Sequence, residues 1–120
     1  MKKVERLFRR PTSPGDILRY EILEENNITQ DELADAIGMS RLTVNQIING
    51  KRSITAETAL KLAVATNLTA EFWLNLQMNL DLYDAREKLD QELDEIKVVL
   101  KTPTRSKTFH DLLEPKRERR

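Results

Sequence analysis

Four polar residues, Thr29, Ser40, Thr55 and Thr69, stand at the heads of successive apolar stretches and cut the chain into short helices. "TQDE" at 29–32 is a capping box: the Thr29 hydroxyl can accept the amide of Glu32, and the Glu32 carboxylate can reach back to the amide of Thr29. "TSPGD" at 12–16 supplies an earlier start, with Ser13 placed to cap, Pro14 suited to the first helical position and Asp16 in the first turn. Stop signals match the starts. Asn26 and Asn27 end the first helix, Gly38 the second, and Asn49 with Gly50 the third. No alternating strand pattern of any length interrupts this punctuation, so it predicts five helices and an all-α fold.

Helical spacing then assigns the core. Ile17, Leu18, Ile22 and Leu23 face inward from the first helix, and Leu33, Ala34 and Ile37 from the second. Val44, Ile47 and Ile48 face inward from the third, and Leu60, Leu62, Ala63 and Ala65 form the apolar set of the fourth. The second and third helices are separated only by Gly38, Met39 and Ser40, with the small Ala34 where two helices must approach closely. That is the helix-turn-helix arrangement, whose second helix enters the major groove of DNA. A tight helical hairpin with a purely structural role needs a similar glycine and core, so the residues on the outer face matter.

Those residues are Arg41, Leu42, Thr43, Asn45, Gln46 and Asn49. Arg can make two bonds to a guanine edge, Gln or Asn can do so with adenine, and Leu or Thr can touch a thymine methyl. Ser40 begins this helix, and Lys51 and Arg52 follow it where phosphates would lie. Gln30, at the exposed start of the second helix, can also meet a phosphate. From Ser40 to Thr55 there is no carboxylate, although 20 Lys+Arg in the whole chain are balanced by 20 Asp+Glu. The balance is uneven along the sequence: residues 1–10 carry +4, 11–38 carry −6, 39–56 carry +3, 57–100 carry −5 and 101–120 carry +4. A polyanion responds to such local sign rather than to the total.

The same composition excludes several classes. There are no cysteines, so neither a disulfide framework nor a thiolate metal site is available. A single histidine, His110, rules out a histidine-based metal cluster or a Ser-His-Asp triad. No phosphate-cradling glycine loop or carboxylate pair suggests an enzyme, and no metal or cofactor is expected. No apolar run approaches the ~18 residues of a membrane span. The basic N-terminus lacks an apolar signal core, so a soluble cytoplasmic protein with no membrane partner is expected.

The stretches "RPTSPGDIL", "TQDELADAIGMS", "INGKRSITAETALKLAVAT" and "EFWLNLQMNLDLYDA", spanning about residues 10 to 86, resemble the HigA-type, also called VapI-type, antitoxins of the Xre (phage-repressor) helix-turn-helix superfamily. The pairing of "NGKRSIT" with "EFWLNLQ" is more specific than the helix-turn-helix itself. The resemblance implies a five-helix, phage-repressor-like domain that dimerises and binds a palindromic operator in its own promoter. It implies a partner, a HigB-type toxin resembling the RelE ribosome-dependent mRNA nucleases, and no catalytic activity in the antitoxin. Base contacts in the wider superfamily come from the starts of both paired helices, which here correspond to Gln30, Arg41, Leu42 and Gln46. An orphan or phage-type regulator without a toxin is the nearest alternative. A protein-interaction module that has lost DNA binding is a second.

The last helix carries two apolar stripes. Phe72, Trp73, Leu76, Leu80 and Tyr83 fall together, and Leu74, Met78 and Leu82 fall on the opposite side. One stripe can close the core. A second copy of the chain, or a folded-back C-terminal extension, can cover the other. The dyad of paired half-sites favours the copy, with Leu74, Met78 and Leu82 as the dimer interface. Further on, Leu82, Ala85, Leu89, Leu93, Ile96 and Leu100 recur every three or four residues, which predicts an amphipathic helix to about Leu100, stopped by Thr102 and Pro103. The expected organisation is therefore a basic arm (1–11), a helix-turn-helix domain (12–83), a helical extension (84–101) and a basic tail (102–120). The tail suits a toxin-binding segment that orders on contact or a nonspecific DNA arm, and its composition predicts disorder in the free state. Its small apolar patch is Phe109, Leu112 and Leu113 around His110. The acidic residues Glu21, Glu24, Glu25, Asp31, Glu32 and Asp35 suit either a solvated face or a basic RNA-cleaving partner.

Overall fold

Each polar cap foreseen in the sequence is used. In the computed structural model, which describes residues 9–100, the Ser13 hydroxyl accepts from Asp16 N at 3.0 Å and opens α1 (Pro14–Asp16). Thr29 and Glu32 form the reciprocal box at 3.0 and 2.9 Å ahead of α2 (Gln30–Ile37). Ser40 accepts from Thr43 N at 3.0 Å ahead of α3 (Arg41–Ile48). Thr55 accepts from Thr58 N at 3.3 Å ahead of α4 (Ala56–Thr66). Thr69 accepts from Phe72 N at 3.0 Å ahead of α5 (Ala70–Asp94). Gly38 ends α2 at φ 69°, and Asn67, not foreseen as a stop, ends α4 in the same left-handed region at φ 63°. The expectations for residues 1–8 of the basic arm and for the tail, including Phe109, His110, Leu112 and Leu113, lie outside the described residues.

The first helix departs from expectation. After one α turn it continues as a π-helix over Ile17–Glu24. The wider turn suits the spacing of its core residues. Leu18 and Leu23 are both buried and lie five positions apart, a separation that would put them about 140° apart on an α-helix. Bonding five residues back brings such a pair toward one side. Ile17 and Ile22 pack beside them, as expected.

The core collects Leu18, Leu33, Ala34, Ile37, Val44, Ile47, Ile48, Ile54, Ala59, Leu62 and Trp73. Trp73 is fully buried, and its indole Nε1 donates to Thr66 Oγ1 at 3.3 Å. Thr66 passes the bond to Leu62 O at 2.6 Å, so the start of α5 is fastened to the end of α4. Phe72 meets Trp73 edge to face, centroids 5.3 Å apart at 81°. Gln77 Oε1 accepts the amide of buried Ile54 at 2.8 Å and pins the loop after α3 to α5. On α4 the inward residues are Thr58, Ala59 and Leu62, whereas Leu60 and Ala65, expected in its apolar set, are exposed. Leu60 and Val64, four apart, mark the outer side of that helix.

Two expectations for α5 are corrected. Leu74, assigned to the dimer stripe, is half-buried and packs against the core. The first two turns of α5 are embedded on more than one side, with Ala70, Phe72, Trp73, Leu74 and Leu76 all against the core, so no free apolar side begins there. The helix also ends at Asp94 rather than near Leu100. Glu92, Asp94 and Glu95 place negative charge at the negative end of the helix dipole, and exposed, β-branched Ile96, Val98 and Val99 follow.

The chain divides into two units, 1–90 and 91–120. The first contains the core; the described part of the second comprises the last turn of α5 and a stretch without regular structure. Helix α5 is unbroken where the expected domain boundary at 83 falls. In the first unit Arg10, from the basic arm, makes a two-bond pair with Asp84 of α5 at 2.9 and 3.2 Å.

One glycine sets how closely α1 approaches α3. A methyl group on Gly15 would overlap the carbonyl oxygen of Ile48 and lie 2.7 Å from that of Ile47. Alanine is the better helix former by ~1 kcal/mol in an open site. Gly15→Ala should nevertheless destabilise the fold by ~1–3 kcal/mol, the usual range for overpacking. Urea unfolding reads this directly, and an unshifted midpoint would show that α1 can move off α3 without loss.

Candidate nucleic-acid interface

The exposed surface of α3 is set by the three residues that are not exposed. Val44, Ile47 and Ile48 are buried, which rotates Arg41, Leu42 and Asn49 fully outward and leaves Thr43, Asn45 and Gln46 half-buried along the sides. Leu42 is 64% exposed, a large apolar side chain in open solvent at the first turn of a helix. Gly38 makes the turn possible: its left-handed backbone lets the amides of Gly38 and Met39 bond back to Asp35 O and Ala34 O at 3.3 and 3.0 Å. The starts of α2 and α3 are thereby brought together.

The expected site residues form a continuous patch, already bonded among themselves. Asn45 Nδ2 donates to Gln30 Oε1 at 3.1 Å, joining α3 to the start of α2. Asn49 Nδ2 donates to Asn45 Oδ1 at 3.1 Å, one helical turn along. The hydroxyls of Ser40 and Thr43 bond each other at 2.9 Å. Lys51 follows Gly50, whose φ of 76° turns the chain away from the helix, and its side chain is exposed.

Three features were not anticipated. Arg52, expected to serve phosphates only, directs Nε and Nη2 onto Gln46 Oε1 at 3.0 and 2.8 Å. Asp31 of α2 sits beside Arg41, 3.3 Å between charged atoms, so a patch free of acid in sequence has one carboxylate in space. Arg19 of the π-helical stretch donates to Asn49 Oδ1 at 2.7 Å and lies over the Tyr20 ring, 5.9 Å from its centroid. Asp31 stands at the far end of α2 from the turn, and only the crossing of α2 and α3 brings it to Arg41. Arg19 has no local signal; only the packing of the first helix on the end of α3 delivers it.

These bonds are exposed or half-exposed. The Arg41–Asp31 pair leaves more than half of each side chain in water, and such pairs are worth ~0–1 kcal/mol. They orient side chains without locking them. Among the described residues no group of acidic residues or histidines could hold a metal ion, and no helix is long and apolar enough to cross a membrane.

On α5, Met78 and Leu82 are 50% and 43% exposed, one turn apart. They are what remains of the second apolar stripe once Leu74 joins the core. Leu80, from the other stripe, is buried, and Tyr83 is half-buried.

The helix-turn-helix family HTH_3 matches residues 20–73. Antitoxin HigA-1 of Vibrio cholerae is 46% identical over 89 residues, covering 74% of this chain and 84% of that protein. The chain belongs to the HigA-type helix-turn-helix antitoxin family. Its fold is that of a solved relative, Pseudomonas aeruginosa antitoxin HigA with higBA promoter, at a TM-score of 0.71 and 38% identity, covering 76% of this chain and all of that one. An uncharacterised HTH-type transcriptional regulator of Escherichia coli, YbaQ, is 41% identical over 93 residues, 76% of this chain and 82% of its own length. HigA-type proteins are helix-turn-helix antitoxins and transcription regulators, and this chain is not an enzyme. The five-helix architecture read from the caps, as found among the described residues, is the family's fold.

Proposed function

We propose that this protein is a sequence-specific, DNA-binding transcriptional repressor and antitoxin. It binds a palindromic operator as a homodimer and neutralises a HigB-type, RelE-like mRNA-cleaving toxin in the cytoplasm. The observation that carries the reading is the outer face of α3, a row of hydrogen-bonding side chains with no acid of its own, on the fold of an operator-bound relative. Arg41 suits a guanine edge, and Gln30 and Gln46 reach bases from the starts of α2 and the middle of α3. Leu42 and Thr43 suit thymine methyl groups, while Asn45 and Asn49 brace the amides between them. Ser40 caps the helix whose first amides face the backbone, and Lys51, with the remaining amine of Arg52, suits phosphates.

In this reading residues 12–83 form the DNA-binding domain. The arm at 1–11 and the tail at 102–120 add positive charge, and 84–101 is an extension, helical to Asp94. Two recognition helices on a dyad would stand about one DNA turn apart, ~34–36 Å. Exposed Met78 and Leu82 supply an apolar seam for that dyad.

The function as a whole is tested by co-expression with the product of the neighbouring gene, scoring growth rescue and a stable complex. A complex and rescue are expected. A shift on the protein's own promoter with no co-purifying partner would instead leave the orphan regulator, and neither would leave an interaction module without DNA binding.

The base-reading and phosphate roles separate by salt. Lys51→Ala should weaken binding to all sequences alike and flatten log K against log salt by about one unit. Arg41→Ala should also lose ~1–3 kcal/mol of discrimination at one base pair. A Lys51→Ala protein with altered base preference and an unchanged salt slope would reverse the assignment.

Met78→Glu tests the seam. It should give a folded monomer by light scattering, with weak and non-cooperative operator binding. A folded mutant that remains a dimer would move the interface elsewhere.

A further inference from the structure

Both glutamines of the recognition patch are bonded, directly or in series, to an arginine. A guanidinium only donates hydrogen bonds, so it fixes the direction of every bond that follows from it. Arg19 Nη2 donates to Asn49 Oδ1 at 2.7 Å, which turns the Asn49 amine toward Asn45 Oδ1 at 3.1 Å. The Asn45 amine is then turned to Gln30 Oε1, also at 3.1 Å. The series ends at Gln30 with one lone pair of its oxygen taken and the other left to accept, so Gln30 can still both donate and accept. All three lengths are those of ordinary amide bonds. In the second series Arg52 places Nε and Nη2 on Gln46 Oε1 at 3.0 and 2.8 Å, which fills both lone pairs of that oxygen. Gln46 therefore offers only its amine outward. Gln30, Asn45 and Gln46 are half-buried, and Asn49 and Arg52 are exposed.

An amide that reads adenine needs both of its ends, donating to N7 and accepting from the N6 amine. At Gln46 the accepting end is fully occupied. We infer that Arg52 is a specificity-positioning residue that polarises Gln46 into a donor, so that the operator position beneath it is read as an acceptor. Guanine presents O6 and N7 and thymine presents O4, whereas adenine's N6 amine would face a second donor with nothing to receive it. This deepens the DNA-reading assignment of α2 and α3 and rests on it. It also replaces the expectation that Gln46 pairs with adenine.

The test uses the full-length protein and selection from randomised duplexes, followed by affinity ratios. Gln30→Ala and Gln46→Ala first map the base pairs under each glutamine by the preference they lose. The unmodified protein should select guanine or thymine over adenine under Gln46, with the pair under Gln30 as the internal reference. Arg52→Lys remains a donor and should keep the order of preference. Arg52→Gln can accept as readily as donate, so the Gln46 amide is free to reverse. Adenine should gain by about fivefold relative to guanine or thymine, what one net hydrogen bond is worth. Because the readout is a ratio, the uniform loss from the missing charge cancels. Arg52 is exposed, so both variants should fold. Adenine selected under Gln46 by the unmodified protein, or a ratio unmoved by Arg52→Gln, would overturn the inference while leaving DNA reading intact. No sequence selected by the unmodified protein would overturn both.

Discussion

The rotation of α3 about its own axis decides what this molecule can touch. Three side chains, Val44, Ile47 and Ile48, fix it by burying one side of an eight-residue helix. Everything displayed on the other side follows from that anchorage. Burial at ~25 cal/mol per Å² gives each of these residues a share of the fold's stability that no exposed polar bond in the patch approaches. The close approach of α1 at Gly15, where the carbonyls of Ile47 and Ile48 leave no space for a methyl group, holds the far end of the same helix. The candidate patch is therefore the back of the core, and a change in core packing would tilt it.

Where a local rule suffices, the sequence is legible. Thr29, Ser40, Thr55 and Thr69 each act on an amide three residues away, and each is found doing so. The inward set of α3 follows from helical spacing alone. What depends on distant neighbours is not legible in the same way. Leu74 and Met78 share a stripe in sequence, yet only Leu74 lies where α5 is embedded. The π-helical turn at Ile17–Glu24 reflects the demand that Leu18 and Leu23 face one core, which no α-helical template includes. Arg19 reaches Asn49 across thirty positions of chain, and Arg52 reaches back over a turn to Gln46. The candidate patch could thus be named residue by residue, but not the bonds that orient it.

Those bonds give the surface its character. A row of free amides and guanidinia on a helix would sample many rotamers, and binding would have to order each of them at ~0.5–1.5 kcal/mol apiece. Linking Gln30, Asn45, Asn49 and Arg19 in series, and Gln46 to Arg52, supplies that order in advance. Asp31 beside Arg41 has a related effect, because it holds the guanidinium at the head of α3 by a weak pair that a base edge or phosphate can displace. The charge of the chain is uneven, positive across 39–56 and negative across 11–38 and 57–100, so the segment that carries α3 is the one between them that suits a polyanion.

The central claim is that α3 and the start of α2 together form the DNA-reading surface of this HigA-type protein. Titrating isotope-labelled protein with a duplex of its own promoter, and following side-chain amide resonances by nuclear magnetic resonance, tests it most directly. The account predicts that the amides of Gln30, Asn45, Gln46 and Asn49 and the backbone of 40–52 shift together, while the exposed Leu60 and Val64 side of α4 stays in place. Shifts centred on α4, or a surface that stays unperturbed while the duplex is bound, would contradict it.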